Sequence, residues 1–550
     1  MMPHHNDLPD PITVEVVRNK LEGIANEMQS TLFRSSFSPI VKEGLDASAS
    51  LFTLEGETLA QAIAIPIHLA TLIPVVRAIL DEFPAATMVD GDVYIMNDPY
   101  LGGTHLPDIA LVMPIFHDGR PMAFSAAMTH HQDVGGMSPG SVPTNATEIY
   151  QEGIRIPPLK FMDRGVVNDT LIKMLRLNVR MPDSFTGDLN AQIAACEIGR
   201  RRLGELAARH GGATLTGIFA DLLARSERMT REAIRAIPDG RYGYHDFLDN
   251  DGIDLDTPIR IEVMVTITDD TVHVDFTGTD RQVRGPFNCM PSGSHAAAYF
   301  AVHAMTDPDI PTNGGCFRPI SLHLPEGSLV NPREPAPVNA RTSTIKRISG
   351  CIVGALGQAV PERAPADAAS EMLLLAFGGT RPDSSRYVIG ELIASGSGAS
   401  DGMDGVDVIE TDGTNCMNLP VEALEMDAPI RVHQTELRSG SGGQGAFRGG
   451  LGLVREYEIL SGEVVFTHRG ERHAYPARGR LGGGAGAQAR SVIRRVDGTE
   501  QVINSKTVER LGPGDRVLVE TAGGGGYGDP EAREPQANAA DRANRKTAST

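Results

Sequence analysis

The sequence is short of positive charge. Its 50 lysines and arginines face 70 aspartates and glutamates, which gives a formal net charge of -20 at pH 7. Nucleic acids and anionic membranes are bound through basic surfaces, which a chain of this charge does not offer. We therefore expect no nucleic acid and no membrane among the partners of this chain.

Long apolar segments are missing too. No stretch is apolar over the roughly 20 residues that a membrane-spanning helix needs. The first residues, MMPHHNDLPDP, lack the charged and then apolar pattern of a signal peptide. The five cysteines are scattered without CxxC spacing, so they form neither a disulfide framework nor a zinc knuckle. These absences predict a cytoplasmic protein with reduced, mostly buried thiols.

A phosphate-binding loop is also lacking. The chain has no GxxxxGK followed by serine or threonine, and no cysteine has a local activating signature for covalent acyl chemistry. Gly440, Gly442 and Gly445 satisfy GxGxxG, but a strand pattern follows them, whereas a dinucleotide site requires a helix there. The glycine runs at 482–486 and 523–528 carry no lysine for a phosphate. We interpret all three glycine segments as turns.

What is present predicts a large protein in several parts. A chain of 550 residues exceeds one ordinary core. Asp10-Pro11 is a typical helix start, and helical spacing recurs up to residue 235, alternating strand patterns follow from Gly240, and strands separated by glycine clusters dominate beyond Ala428. We expect an α+β fold with an N-terminal mixed α/β region that carries a metal-site hairpin (1–238), a middle α+β region (239–427), a β-rich C-terminal region (428–530) and a disordered tail (531–550).

The segment from Val93 to Asp133 carries the most chemistry. Apolar runs at 109–116 and 122–128 flank HDGR, whose Asp118-Gly119 pair favours a two-residue hairpin turn. If His117 pairs with Arg120, Pro107 lies opposite His130. His105 is then a diagonal neighbour of His130, within side-chain reach.

Asp108 would point to the other face of a regular strand. The preceding GGTHLP is broken by glycine and proline, however, and can turn the carboxylate back toward the histidines. The hairpin thus predicts a His, Asp, His metal site. A capped turn is the simpler alternative, since histidine and aspartate are common at loop ends.

Two further residues have open interpretations. Asp46, before ASASLF, is either exposed on a polar face or held by a cation. His68, among apolar residues in IPIHLA, is more typical of a core histidine than of one that faces a substrate or supports a ligand.

Motifs along almost the whole chain carry a resemblance to a known family. They are EGLDASASLF, IPIHLA, MNDPYLGGTHLPDIALVMPIF, THHQDVGGMSPGS, QEGIRIPP, LPEGSLVNP, PAPVNART, SGGQGAFRGGLG and TAGGGGYGDP. Together they resemble the hydantoinase B/oxoprolinase family, which includes B subunits of hydantoinase-type enzymes and α subunits of acetone-type carboxylases.

The resemblance implies a division of labour. A separate A-type subunit of actin-like ATPase fold would phosphorylate the substrate, and this chain would finish the reaction at a divalent metal, Mn²⁺, Fe²⁺ or Zn²⁺. ATP would be used through that partner. The ligands of the family fall on Asp46, His105, Asp108 and His130, although the surrounding KEGLDAS lacks the arginine and phenylalanine of many members.

We therefore expect the metal-dependent B-type subunit of an ATP-dependent hydrolase of cyclic amides such as hydantoins or 5-oxoproline. His131, Asp133 and Glu152 are candidate catalytic or proton-handling residues. The main alternative is the α-type subunit of an ATP-dependent acetone- or acetophenone-like carboxylase. A non-haem iron oxygenase with two histidines and a carboxylate and a purely structural partner of the ATPase are two others.

Overall fold

The computed structural model describes residues 10–63 and 65–547, apart from the side chain of Leu69. Within these ranges the chain forms helices and four sheets, three of them antiparallel and one mixed. The α+β fold expected from the sequence is thereby confirmed. No helix in the described ranges is long and apolar enough to cross a membrane.

The N-terminal region is a seven-stranded sheet covered by helices on both faces. Its order is β2-β1-β5-β4-β3-β6-β7. The strands are β1 Ala47–Thr53, β2 Thr58–Gln61, β3 Val93–Met96, β4 Asp108–His117, β5 Arg120–His130, β6 Leu159–Asp163 and β7 Val166–Val167. The helices are α1 Pro11–Ser35, α2 Pro39–Lys42, α3 Leu72–Glu82, α4 Asp169–Asn178, α5 Pro182–His210 and α6 Gly212–Arg235.

Helix α1 begins where the sequence predicts. The Asp10 carboxylate accepts hydrogen bonds from the backbone N–H groups of Ile12 and Thr13, which have no partner inside the helix. The predicted apolar face is buried and packs on α5 and β1.

Alternation along the central strands divides the core of this region in two. Ile109 and Leu111 of β4 belong to the cluster that includes α1, α5 and α6. Ala110 and Val112 face the cluster that includes α3. Residues of even number in β4 therefore point to the α3 face, which determines where Asp108 points.

The middle region packs two long helices on a mixed sheet of order β11-β10-β9-β8. Its strands are β8 Gly240–Leu248, β9 Ile259–Thr268, β10 Thr271–Asp275 and β11 Ile320–His323, and its helices are α7 Pro291–Met305, α8 Gly314–Phe317 and α9 Arg341–Ala359. The N-terminal end of α9 reaches the first sheet.

The C-terminal region consists of two sheets around one apolar core, of order β13-β12-β16-β19 and β14-β15-β20-β17-β18. The elements are β12 Leu373–Thr380, β13 Arg386–Ile393, α10 Val421–Asp427, β14 Ile430–Leu437, β15 Leu453–Ile459, β16 Val464–Arg469, β17 Arg490–Arg494, β18 Glu500–Ile503, β19 Lys506–Leu511, β20 Arg516–Glu520 and α11 Pro535–Ala543. Because β12 and β13 precede residue 428 yet share a sheet with β16, the expected boundary there does not coincide with a sheet boundary.

The glycine segments are packed against one another and are more than turns. The N–H of Gly443 donates to the carbonyl of Gly524, the N–H of Gly524 to Gly450, and the N–H of Gly526 to Gly484. A Cβ on Gly524 would lie 1.8 Å from the carbonyl oxygen of Ser397. Only glycine permits backbones to approach this closely.

The prediction of a disordered tail is wrong for its described part. Helix α11 is ordered, and the ion pairs Arg533–Asp404 at 2.8 Å and Lys546–Asp407 at 2.6 Å attach the segment to the glycine-rich region. Disorder was expected because large apolar residues are few there, but the segment is held by charge. Residues 548–550 lie outside the described residues.

Candidate metal centre

The hairpin turn has the predicted geometry. Asp118 and Gly119 have φ angles of 48° and 72°, as a type I′ turn requires, and His117 pairs with Arg120. The first part of the register prediction is therefore confirmed.

Further along the hairpin the predicted register is wrong by one residue. Ile115 pairs with Ala123 whereas Phe116 pairs with Pro121, so Met122 is an extra residue in β5. Pro121 has no N–H to donate, and proline is tolerated at such bulges. The bulge brings Asp108, and not Pro107, opposite His130.

Asp46, His130 and Asp108 form a row across three adjacent strands. The N–H of His130 donates to the carbonyl of Asp46 at 3.1 Å, just beyond the end of β1. Side chains opposite one another in antiparallel strands lie on the same face, so all three point to the α3 face. The strand register alone places Asp108 beside the histidines, so the expected turn of the preceding GGTHLP loop is not required.

His105 joins this row from the loop before β4. Its Nε2 lies 3.0 Å from Asp108 Oδ1 and 3.2 Å from His130 Nδ1. His130 Nδ1 lies 3.4 Å from Asp108 Oδ1 and 3.9 Å from Asp46 Oδ2. The structure thus brings together the four residues that the sequence predicts as ligands, and their binding of a metal stays a prediction.

The tautomer of His105 follows from its other nitrogen. Nδ1 lies 2.9 Å from the carbonyl oxygen of Asn339, which can only accept, so Nδ1 carries the proton. Burial, reinforced by the charge of Arg341, lowers the pKa of His105 to about 3, and the ring is therefore neutral at pH 7. Nε2 then presents a lone pair to the cluster.

Asp108 is held as a carboxylate. Burial opposes ionisation, but the charge of the Arg341 guanidinium favours the carboxylate, and the pKa of Asp108 lies well below its usual range. Its Oδ2 accepts from Arg341 Nη2 and from the Thr104 hydroxyl, both at 2.5 Å. Its Oδ1 is left facing the two imidazoles.

Two acceptors therefore face each other in the centre of the cluster. The Nε2 atom of His105 and the Oδ1 atom of Asp108 are 3.0 Å apart. In this tautomer neither atom carries a proton, so no hydrogen bond joins them. Both side chains are at most 2% exposed, so water does not relieve the contact. A cation shared by the two atoms would stabilise this arrangement.

The donor set fits a divalent metal. Ligand atoms of His105, Asp108 and His130 lie within 4.8 Å of one another. Nitrogen and oxygen ligands lie about 2.1 Å from a first-row ion, so neighbouring ligands at right angles are about 3 Å apart. The spacings of 3.0, 3.2 and 3.4 Å agree with this value. Imidazole with carboxylate suits Mn²⁺, Fe²⁺ or Zn²⁺.

Sequence reasoning missed two neighbours of the cluster, Asn339 and Arg341, and favoured a core role for a third, His68. His68, in the 3-10 turn Pro66–Leu69, has Nε2 3.9 Å from Asp46 Oδ1 and 4.0 Å from Asp108 Oδ2. Burial lowers the pKa of His68. Asn339 and Arg341 come from the PAPVNART segment, more than 200 residues from the hairpin. The only sequence signal for them was that this segment is among the family motifs.

The three residues predicted to be catalytic do not join the cluster. His131 is next to His130 and so points to the opposite face, where its Nε2 lies 3.1 Å from Gln192 Oε1 of α5. The Asp133 carboxylate accepts from the N–H groups of Gly135, Gly140 and Arg180 and from the Arg180 side chain. Asp133 therefore fixes the loop that follows β5.

Glu152 acts on the cluster only indirectly, through the backbone of Asn339. Its two oxygens accept from the N–H of Val338 at 3.1 Å and of Asn339 at 2.8 Å. Burial raises the pKa of Glu152 to about 8. Glu152 therefore positions the carbonyl group that orients His105, and it does not face the reacting centre.

Comparisons with known proteins agree with this fold. The profile of the family described as "Hydantoinase B/oxoprolinase" matches residues 10–530. The B-type subunit of a putative D-/L-hydantoinase from Pseudomonas sp. (strain NS671) is 33% identical over 97% of this chain and 92% of its own length.

Solved structures share the fold. The ATP-dependent caprolactamase of Pseudomonas jessenii superposes with a TM-score of 0.92 at 32% identity, over 98% of this chain and 95% of that one. Acetone carboxylase gives a TM-score of 0.89 at 21% identity, over 98% of this chain and 78% of that one, which shows the fold alone. The chain thus has the α+β architecture of an ATP-dependent enzyme subunit. It belongs to the hydantoinase B/oxoprolinase family.

Proposed function

We propose that this chain is the metal-dependent B-type subunit of an ATP-dependent cyclic-amide hydrolase, and that it hydrolyses a substrate phosphorylated by a partner A-type ATPase subunit. The observation that carries the proposal is the 3.0 Å contact between the lone pair of His105 Nε2 and the Asp108 carboxylate. The relative from Pseudomonas sp. (strain NS671) is named as the B subunit of a putative hydantoinase, which supports cyclic amides as the substrate class. The lack of a phosphate loop supports a separate ATPase.

Asp46, His105, Asp108 and His130 would hold the ion. A divalent ion bound there supplies a Lewis acid that polarises a carbonyl oxygen and lowers the pKa of water. Arg341 fixes Asp108 through Oδ2 and leaves Oδ1 free. Asn339 fixes the tautomer of His105, as supporting hydrogen bonds do for histidine ligands.

His68 is the residue best placed to move a proton. Its imidazole is neutral at pH 7 because burial lowers its pKa, so a lone pair is available to accept one. Its Nε2 is close to both carboxylates, which favour the protonated ring. No such proximity supports His131 or Asp133, and we assign them no proton transfer.

Reconstitution tests this function. The chain and its A-type partner are purified separately and mixed with ATP and hydantoins, 5-oxoproline or lactams, and both ADP and the ring-opened product are measured. Turnover should require both proteins and should be lost with His130→Ala. ATP-dependent turnover by the single chain would contradict the proposal. ATP-dependent consumption of ketone and bicarbonate, without ring opening, would identify a carboxylase instead.

A further inference from the structure

The buried cations of the chain are paired with carboxylates, with one exception. Eight lysine or arginine side chains are buried in the described residues. Seven of them form ion pairs: Arg341, Lys346, Arg347, Arg448, Arg455, Arg472 and Lys506. For Arg469, which is 2% exposed, no carboxylate of the described residues lies within ion-pair distance. A buried charge without a partner is costly, so this arginine requires an explanation.

Arg469 is the last residue of β16 and lies beside the cluster. Its Nη1 donates to Asn339 Oδ1 at 3.0 Å and lies 3.4 Å from the Asn339 carbonyl oxygen. That carbonyl oxygen also accepts from His105. Arg469 and His105 therefore reach the same atom from two sides.

Glu152, the acidic group whose charge would act on Arg469, does not neutralise it. Its oxygens are used by the N–H groups of Val338 and Asn339. Burial raises the pKa of Glu152 to about 8, so the group is largely protonated at pH 7. Burial and the charge of Arg341 lower the pKa of Arg469 to about 9, and the guanidinium still carries its charge at pH 7.

Arg341 supplies a second cation from the first turn of α9. Its Nη2 binds Asp108, while its Nε is buried without a partner among the described residues. Arg341 is the first residue of this 19-residue helix. Helix N-termini favour negative charge, so the position suits an anion.

We infer that Arg469 and Arg341 form an anion subsite beside the cluster, and that it binds the phosphoryl group of the activated substrate or the phosphate released from it. This inference rests on the proposed function. A divalent ion and the carboxylates of Asp46 and Asp108 balance in charge, which leaves the two guanidiniums in excess. A phosphoryl dianion neutralises both, whereas a carboxylate neutralises one. Guanidinium groups also match phosphate oxygens in geometry.

Binding of inorganic phosphate to the full metal-loaded chain tests the subsite without any turnover. Calorimetry should show one phosphate bound per wild-type chain. Arg469→Gln should weaken binding roughly ten-fold or more, as loss of a charge-assisted hydrogen bond does, with the metal content unchanged. Arg490→Gln makes the same change of charge at an exposed arginine of β17 that is paired with Glu520, and this variant should bind phosphate as the wild type does.

Further measurements keep the test decisive if Arg469→Gln does not fold. Arg469→Lys retains the charge and should bind phosphate with intermediate affinity. In the wild-type chain, bound Mn²⁺ should broaden the ³¹P signal of phosphate more than bound Zn²⁺ does. Acetate should bind more weakly than phosphate, and equal affinity would indicate a carboxylate subsite and overturn the inference.

The inference also fails if the metal-loaded wild type binds no phosphate or if folded Arg469→Gln binds it unchanged. Hydrolysis by the reconstituted pair without phosphate binding would reject the subsite alone. Phosphate binding by a chain that supports no hydrolysis with its partner would reject the proposed function alone.

Discussion

The carbonyl oxygen of Asn339 lies 2.9 Å from Nδ1 of His105, a residue 234 positions earlier in the chain. This hydrogen bond joins the segment that begins α9 to the first sheet, and it determines which nitrogen of His105 faces the cluster. The candidate metal centre is thus complete only when the N-terminal and middle regions are packed together.

Replacing the carboxyl group of Glu152 by an amide should weaken metal binding from a distance. Glu152→Gln replaces one of the two oxygens that hold the N–H groups of Val338 and Asn339, so the carbonyl that orients His105 is less well fixed. Loss of such supporting groups typically costs about 10- to 100-fold in metal affinity. Competition with a chelator of known affinity measures the change.

The control for this variant is Glu197→Gln, a half-buried member of an ion pair on α5. It should leave metal affinity unchanged. Equal metal affinity in Glu152→Gln and wild type would show that Glu152 only stabilises its loop.

His68 should affect turnover more than metal content. The Asp108 oxygen nearest to its Nε2 is Oδ2, at 4.0 Å, which Arg341 and Thr104 already bind, whereas Oδ1 faces the other two imidazoles. His68→Gln should lower kcat of the reconstituted enzyme by roughly 10²-fold, the lower range for loss of a proton-transfer group, and retain stoichiometric metal. Loss of the metal from this variant would instead make His68 a ligand.

The sequence predicts much of the N-terminal region and part of the cluster. Asp10 at the start of α1 and the Asp118-Gly119 turn are local signals, and both are present in the structure. The extra residue Met122 was not predictable, because periodicity alone cannot locate a bulge. It moved the pairing by one residue, which changes the face to which every later side chain points.

The residues that complete the cluster could not be connected with the hairpin from the sequence, for a different reason. His68, Asn339 and Arg341 reach the hairpin only through tertiary packing, so no spacing in the sequence connects them with it. His131 directly follows His130, yet adjacent residues of a strand point to opposite faces. Proximity in sequence was therefore misleading here.

The packed glycine segments should not tolerate a side chain. Gly524→Ala would place a Cβ 1.8 Å from the carbonyl oxygen of Ser397, and backbone at this position cannot move aside without breaking its hydrogen bonds. We expect the free energy of unfolding to fall by more than about 3 kcal/mol. Gly390→Ala, in a strand with nothing within 4 Å of the new atom, is the control and should unfold like the wild type. Similar stability of the two variants in urea would contradict close packing.

Stability should also depend on pH through Glu371. This carboxyl group is buried and accepts from the N–H groups of Glu471 and Ala522, and burial raises its pKa to about 8 from 4.5. Between these values the folded chain binds a proton that the unfolded chain has lost. The contribution of Glu371 to stability is therefore complete below pH 4.5 and is lost as pH rises through 8.

Glu371→Gln does not titrate and isolates this effect. From pH 6 to pH 8 the stability of the variant relative to wild type should rise by up to about 1.4 kcal/mol per pH unit, measured by urea unfolding at each pH. A constant difference between the two proteins over this range would show that Glu371 is ionised in the folded chain.

Metal analysis of purified protein tests the central claim most directly. Elemental analysis of the wild type should give one divalent metal per chain, and His105→Ala and His130→Ala should each lose it while the circular dichroism spectrum stays unchanged. His131→Ala, on the opposite face of the same sheet, should retain the metal. Full metal occupancy in folded His105→Ala or His130→Ala would contradict the assignment of this cluster as the metal centre.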